Sequence, residues 1–209
     1  MGSHRWHMDE SEMMSLIPKH IWDLIRKAYP TGDLEEGAKS HLVRREFDSS
    51  SLVARIVSQI EHDCNTSAYR DPGGYYERSH RISYTTSKRD VPLWKRSPLW
   101  ADQFEYVKDR GGVVYDGQVR VSQLGPYAAL SWHETRIVDE TVTPSLQNRS
   151  PPTAECAGLQ RCVEAILVAN GVEILPWDLL DLTVPGMEGK PFGEPVERLT
   201  VYNCLFSSI

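Results

Sequence analysis

Two short segments bring together side chains that can act as acids, bases or metal ligands. His133 is followed directly by Glu134, and a histidine beside a carboxylate is a candidate pair for general acid–base catalysis. Asp178 and Asp181 are three residues apart, so on a helical turn their carboxylates would share a face and could bind a metal ion. Neighbouring strand residues point to opposite faces, however, and no further ligand joins the two aspartates. We therefore expect no catalytic pair, no metal site and no cofactor.

A third group is a mixture of basic and aromatic residues between positions 69 and 96. Its basic members are Arg70, Arg78, Arg81, Lys88, Arg89, Lys95 and Arg96. Its aromatic members are Tyr69, Tyr75, Tyr76, Tyr84 and Trp94. Tyrosine with arginine is typical of protein interfaces and of surfaces that bind single-stranded nucleic acid. A loop whose rings pack on the core explains the composition equally well, so all three interpretations stay open.

The overall charge disfavours nucleic acid as a partner. The 209 residues carry 29 acidic and 23 basic side chains, a net charge of -6, whereas binding to a phosphate backbone depends on Lys and Arg. The apolar fraction of 40% is typical of a folded protein, and no run of 18 apolar residues predicts a membrane-spanning helix. We expect partners to include neither nucleic acid nor a membrane.

The cysteines and the N-terminal residues bear on the compartment. Residues 1–8 lack the apolar core of a signal peptide and are interpreted as a cloning remnant. Cys156 and Cys162 are too far apart on one helix to form a disulfide. In a chain of this length without a signal peptide, the four cysteines are expected to be buried thiols. These features favour a reducing, cytoplasmic location.

Apolar periodicity and end signals predict the secondary structure. Helices are expected over residues 17–29, 51–62, 97–110 and, after a cap at Thr153, up to Asn170. Strands are expected over residues 81–85, 172–175 and 196–206, with a meander over residues 113–135. Within the meander, Asp116 and Gly117 are expected to form a tight hairpin turn, followed by a second turn at Gly125 and Pro126. The prediction is one α+β domain over residues 9–209, with an antiparallel or mixed sheet built around a central meander and about four helices packed on it.

The chain as a whole resembles the small immunity proteins of bacterial polymorphic toxin systems. Like them it is short, acidic and rich in Trp and Tyr, and the segment over residues 177–186, WDLLDLTVPG, adds to the likeness. The resemblance implies a non-enzymatic protein that binds a cognate toxin, expected to be basic, and occludes its active site. It implies no individual functional residues.

Two other functions stay open beside this leading hypothesis. One is a hydrolase of unfamiliar class that reverses a toxin's modification with carboxylates such as Glu134, Asp178 or Asp181. The other is a structural or assembly component, which would form a stable homo-oligomer. The oligomeric state itself is not predicted.

Two loop-rich surfaces are the expected partner-binding sites, because recognition is commonly placed on loops over a rigid sheet. The first surface is aromatic and basic and comprises Tyr75, Tyr76, Arg78, Arg81 and Trp94. The second is acidic and comprises Asp178, Asp181, Glu188 and Glu194.

Overall fold

The computed structural model describes residues 15–34, 43–44, 47–71, 78–86, 100–143, 147–189 and 198–206. Within this part of the chain, helices and one mostly antiparallel sheet form an α+β fold, as the sequence predicts. The helices are α1 Lys19–Ala28, α2 Ser49–Asp63, α3 Trp100–Lys108, α4 Ala154–Ala169, α5 Trp177–Leu180 and α6 Val201–Phe206. The strands are β1 Ala68–Arg70, β2 Ser79–Thr85, β3 Val113–Ser122, β4 Tyr127–Val138, β5 Thr141–Thr143, β6 Gln147–Asn148 and β7 Glu173–Ile174.

The sheet is centred on the long hairpin of β3 and β4. Strands β1 to β5 follow one another in sheet order as antiparallel neighbours. The outer edge of β4 is shared by three short strands, since β6 pairs antiparallel with its middle and β7 pairs parallel with its start. The expected sheet around a central meander is therefore confirmed.

Of the two predicted turns, the one at Gly125 and Pro126 is confirmed, whereas the one at Asp116 and Gly117 is wrong. Asp116 and Gly117 lie inside β3, opposite His133 and Trp132 of β4, and the chain reverses over residues 123–126. Gly117 is needed for packing instead, because a Cβ there would lie 2.1 Å from Cε2 of the Tyr84 ring. The glycine thus lets a buried aromatic ring cross close above the strand, which is a second use of glycine in strands.

One face of the sheet, called face A, carries Ile82, Val119 and Leu130 and is covered by α2 and α4. Both helices begin with a side-chain cap: the side chain of Asp48 accepts from Ser51 N–H, and that of Thr153, the predicted cap, accepts from Cys156 N–H. Apolar side chains of these helices and of the sheet form a single core cluster. The helices expected over residues 17–29, 51–62 and after Thr153 are all present.

A disulfide joins the two helices of face A. Cys64, the C-cap of α2, is bonded to Cys162 of α4, with the two Cα atoms 5.8 Å apart. The expectation of four buried thiols is therefore wrong for this pair and holds for Cys156 and Cys204. The pair lies 98 residues apart in sequence, and only the packing of α2 against α4 brings it together.

The opposite face, face B, carries two separate apolar clusters. At one end α1, α5 and α6 pack around Leu124 and Ala129, and at the other end Tyr106 and Val107 of α3 pack on Val114. Between the clusters the strands present polar side chains in register. Three cross-strand rows make up this stretch: Arg81 and Arg120, beside the apolar Ala129; Ser83, Gln118 and Ser131; Thr85, Asp116 and His133.

The final segment forms a helix where the sequence predicts a strand. Thr200 makes an isolated bridge to Thr183, and α6 then begins at Val201. Asn203 Oδ1 accepts a hydrogen bond from Thr200 N–H, and Thr200 Oγ1 accepts one from Asn203 N–H. These reciprocal bonds form a capping box, with asparagine in place of the usual glutamate or glutamine. Alternation in residues 196–206 was therefore a misleading signal.

The remaining predicted elements are present within the described ranges. Strand β2 covers the strand expected over residues 81–85, and β7 lies within residues 172–175. The helix expected over residues 97–110 is observed as α3, and residues 97–99 lie outside the described part. No helix in the described ranges is long and apolar enough to cross a membrane.

Candidate protein interface at helix α5

Little of the expected aromatic and basic surface can be placed. Tyr75, Tyr76 and Trp94 lie outside the described residues. Arg78 is fully buried, so its guanidinium does not belong to an exposed surface. Arg81 lies on face B and forms an ion pair with Asp71, with Nη1 and Oδ2 3.1 Å apart.

The acidic residues at positions 178 and 181 do share one helical turn. Pro176 precedes α5, and its carbonyl accepts from Leu180 N–H, while the carbonyl of Trp177 accepts from Asp181 N–H. Leu180 is fully buried and fixes the turn to the core, which leaves Asp178 and Asp181 exposed. Glu188 is also exposed, and its backbone forms an isolated parallel β-bridge with that of Asp33. Glu194 lies outside the described residues.

Trp177 is the anchor of this turn. Its indole Nε1–H donates to the carbonyl of Leu130 on the outer edge of β4, at 2.8 Å. Its ring stacks on Tyr202, with centroids 5.4 Å apart, and Tyr202 in turn contacts the buried Phe206. Trp177 and Tyr202 stay partly exposed. A large aromatic pair is therefore held in one orientation at the surface.

Arg149 completes the arrangement from the segment after β6. Both of its terminal nitrogens donate to the carboxylate of Asp181, one at 2.9 Å, so the pair is bidentate. The same guanidinium lies over the Trp177 ring, 4.7 Å from the centroid. Bidentate pairing and stacking together restrict a side chain that would otherwise sample many rotamers. Sequence reasoning missed Arg149, since nothing local connects it to residues 177–181.

We call this group the α5 surface: Arg149, Trp177, Asp178, Asp181 and Tyr202. Asp181 is neutralised by Arg149, whereas Asp178 is exposed and makes no ion pair within the described part of the chain. Trp, Tyr and Arg are the residue types most enriched at the energetic centres of protein interfaces. Because packing already fixes them, binding a partner would require little additional ordering. The geometry suits recognition of another protein.

The other carboxylate proposed for catalysis, Glu134, lies on face A and is paired with Arg136. His133 points to face B, away from Glu134, so the two side chains do not form a pair. Burial, followed by the charges of Arg120 and Arg81, lowers the pKa of His133. No group of three or more potential metal ligands is found within the described ranges.

A serine–histidine pair that the sequence does not suggest lies at the start of α2. Ser49 Oγ is 2.8 Å from His80 Nε2, a distance typical of a nucleophile and its general base. Arg70 Nη2, which can only donate, lies 3.0 Å from His80 Nδ1. Neutral His80 must then carry its proton on Nε2 and donate it to Ser49. This tautomer cannot accept the serine proton, so the pair is structural in this arrangement.

Comparison with family models, curated proteins and solved structures finds no match to this chain.

Proposed function

We propose that this chain is a non-enzymatic binding protein, an immunity protein that binds a cognate bacterial toxin and occludes its active site. The observation that carries the binding role is the Arg149 guanidinium, which is held both on the Trp177 ring and in the Asp181 carboxylate. The toxin as partner comes from the resemblance of the sequence to immunity proteins. The α5 surface is the proposed contact.

Charge supports a basic partner. The chain carries a net charge of -6, and Asp178 adds an exposed carboxylate beside the aromatic pair of the α5 surface. Complementary charge at the rim of an interface speeds association, whereas buried aromatic anchors mainly slow dissociation. The two kinds of residue therefore predict two different kinetic effects.

Substitutions at the α5 surface separate these effects in a binding assay with the toxin encoded beside this gene. Asp178→Lys should slow association strongly at low salt and less at high salt, because added ions screen exposed charges. Trp177→Ala should raise the dissociation rate with little dependence on salt. A suitable control is Glu105→Lys with Asp109→Lys, which reverses two exposed charges on and just after α3.

Circular dichroism first verifies that each variant is folded, and only folded variants are compared in the binding assay. If both α5 variants bind as the unmodified chain does, the α5 surface is not the contact. If the neighbouring gene products include no protein that co-purifies with the chain, the immunity function itself is rejected.

The compartment is a separate part of the proposal, and we place the protein in the cytoplasm. The Cys64–Cys162 disulfide is more typical of oxidising compartments, so this placement needs its own test. Free thiols are alkylated before cells of the natural host are fractionated, and the bond is then analysed by mass spectrometry. Recovery of the chain outside the cytoplasmic fraction contradicts the placement.

A further inference from the structure

A row of three arginines and one histidine leads from the surface into the core near the start of α2. Arg70 is exposed, His80 and Arg44 are partly buried, and Arg78 is fully buried. Arg70 contacts His80 directly at 3.0 Å. Arg44 lies close enough to both His80 and Arg78 for its charge to act on each of them. We call these four residues the arginine row.

The arginine row has little counter-charge within the described part of the chain, where the charge of Asp33 acts on Arg78. No member forms an ion pair there with an acidic residue. Arg78 donates from Nη2 to the carbonyl of Leu34 and lies over the Tyr29 ring, 4.9 Å from its centroid. Its Nε and Nη1 are buried and have no hydrogen-bond partner, and neither has Nε of Arg44. Three guanidinium nitrogens are thus buried without an acceptor.

Such an arrangement is unfavourable for folding alone. A buried charge that lacks a partner destabilises a protein, and each unpaired buried donor adds a further desolvation penalty. Like charges next to one another add repulsion. A bound ion that supplies the missing interactions is one of the ordinary explanations for buried polar groups without partners.

We propose that the arginine row is a binding site for a phosphate group, independent of the toxin-binding role of the α5 surface. Arg70 and Arg44 would contact the phosphate oxygens at the accessible end of the row, with His80 beside them. Arg78, at the buried end of the row, would not contact the phosphate but would attract it through its positive charge.

The choice of phosphate follows from the number and type of donors. Three arginines and a histidine can together balance a doubly charged anion, whereas a carboxylate carries a single charge. The planar guanidinium fork matches phosphate oxygens and allows two parallel hydrogen bonds. Arg70 can exchange its hydrogen bond to the uncharged Nδ1 of His80 for charge-assisted bonds to phosphate oxygens, which are stronger.

Binding would change the protonation of His80. Burial, followed by the charges of Arg70 and Arg44, lowers the pKa of His80 to about 4. A bound phosphate would offset both charges and favour the protonated imidazole, so the pKa of His80 should rise when phosphate binds. A purely structural arginine cluster predicts no such response.

The experiment is a titration of the full-length chain with inorganic phosphate, followed by calorimetry and by NMR of the His80 ring in a buffer free of other oxyanions. The proposal predicts saturable binding and an upward shift of the pKa of His80. Arg70→Gln and Arg44→Gln should each weaken phosphate binding about tenfold or more, as expected for a charge-assisted hydrogen bond. Arg136→Gln, which removes an exposed charge on β4, should leave the affinity within about twofold of that of the unmodified chain.

Three results would overturn the proposal: the absence of saturable binding, an equal loss in Arg136→Gln and Arg70→Gln, or saturation without a change at His80. The first excludes the site, the second shows a non-specific charge effect, and the third places the phosphate elsewhere. Glutamine at the exposed Arg70 is not expected to disturb folding, so the test does not depend on variants of the buried Arg78.

Discussion

The stability of the fold should decrease as the pH falls from about 6.5 to about 4, and His80 should account for a large part of the decrease. In the folded chain, burial and the charges of Arg70 and Arg44 hold the pKa of His80 at about 4, whereas the ordinary pKa of histidine is 6.5. Between these values the unfolded chain binds a proton that the folded chain does not. The folded state is therefore favoured above pH 6.5 and loses this advantage as the pH falls towards 4.

The size of the effect follows from the difference between the two pKa values. A shift of one pKa unit corresponds to about 1.36 kcal/mol, so the full effect of His80 is at most about 3 kcal/mol. Between pH 7 and pH 5 the same difference gives about 2 kcal/mol of unfolding free energy. Partial exposure of His80 reduces these values, since solvent screens the neighbouring charges.

Urea unfolding at pH 7 and pH 5, in a buffer free of phosphate, measures the effect. His80→Gln removes the titrating ring while keeping an amide that can bond to Ser49 or Arg70. This variant should show a smaller loss of stability between the two pH values than the unmodified chain. Burial also lowers the pKa of His133, so part of the loss should remain in the variant.

His62→Gln is the matched control, because His62 is an exposed histidine paired with the neighbouring Asp63. It should retain the full pH dependence. Equal losses in the unmodified chain and in His80→Gln would show that His80 is not held neutral by its surroundings, and the assigned tautomer would then fail as well.

Two further predictions concern features that the sequence did not reveal. Replacing Cys64 and Cys162 with serine should destabilise the fold by about 2 to 5 kcal/mol, because the disulfide closes a loop with a sequence separation of 98 residues. Urea midpoints of the unmodified chain that are the same with and without reductant would contradict this prediction. Gly117→Ala should destabilise the fold by about 1 to 3 kcal/mol, since the added Cβ meets the Tyr84 ring at 2.1 Å. Gly158→Ala, where the nearest atom lies 3.9 Å from the added Cβ, controls for the addition of a methyl group without a close contact, and a Gly117 variant as stable as the unmodified chain would refute the packing role.

Local patterns were sufficient for most of the helices and for the fold class. The apolar stripe and caps of α2 and α4 depend on neighbours three or four residues away, so they can be recognised without knowledge of the fold. The same holds for the composition rich in Tyr, Ser and Thr that predicted β2. Local signals failed where one sequence pattern was compatible with both a strand and a helix. Residues 196–206 show the apolar alternation of a strand, but the capping box of Thr200 and Asn203 starts a helix.

The candidate sites show the same limit. The spacing of Asp178 and Asp181 is local, so the sequence alone showed that a helical turn would place both on one face; the helix α5 itself is seen only in the structure. Only the tertiary structure brought Arg149 to Asp181, Arg70 to His80 and Cys64 to Cys162, which are separated by 32, 10 and 98 positions. It also gave Gly117 a packing role under Tyr84 instead of a turn. Helix signals depend on contacts within one turn of the chain, whereas ion pairs, disulfides and ring packing depend on which segments the sheet and core place side by side.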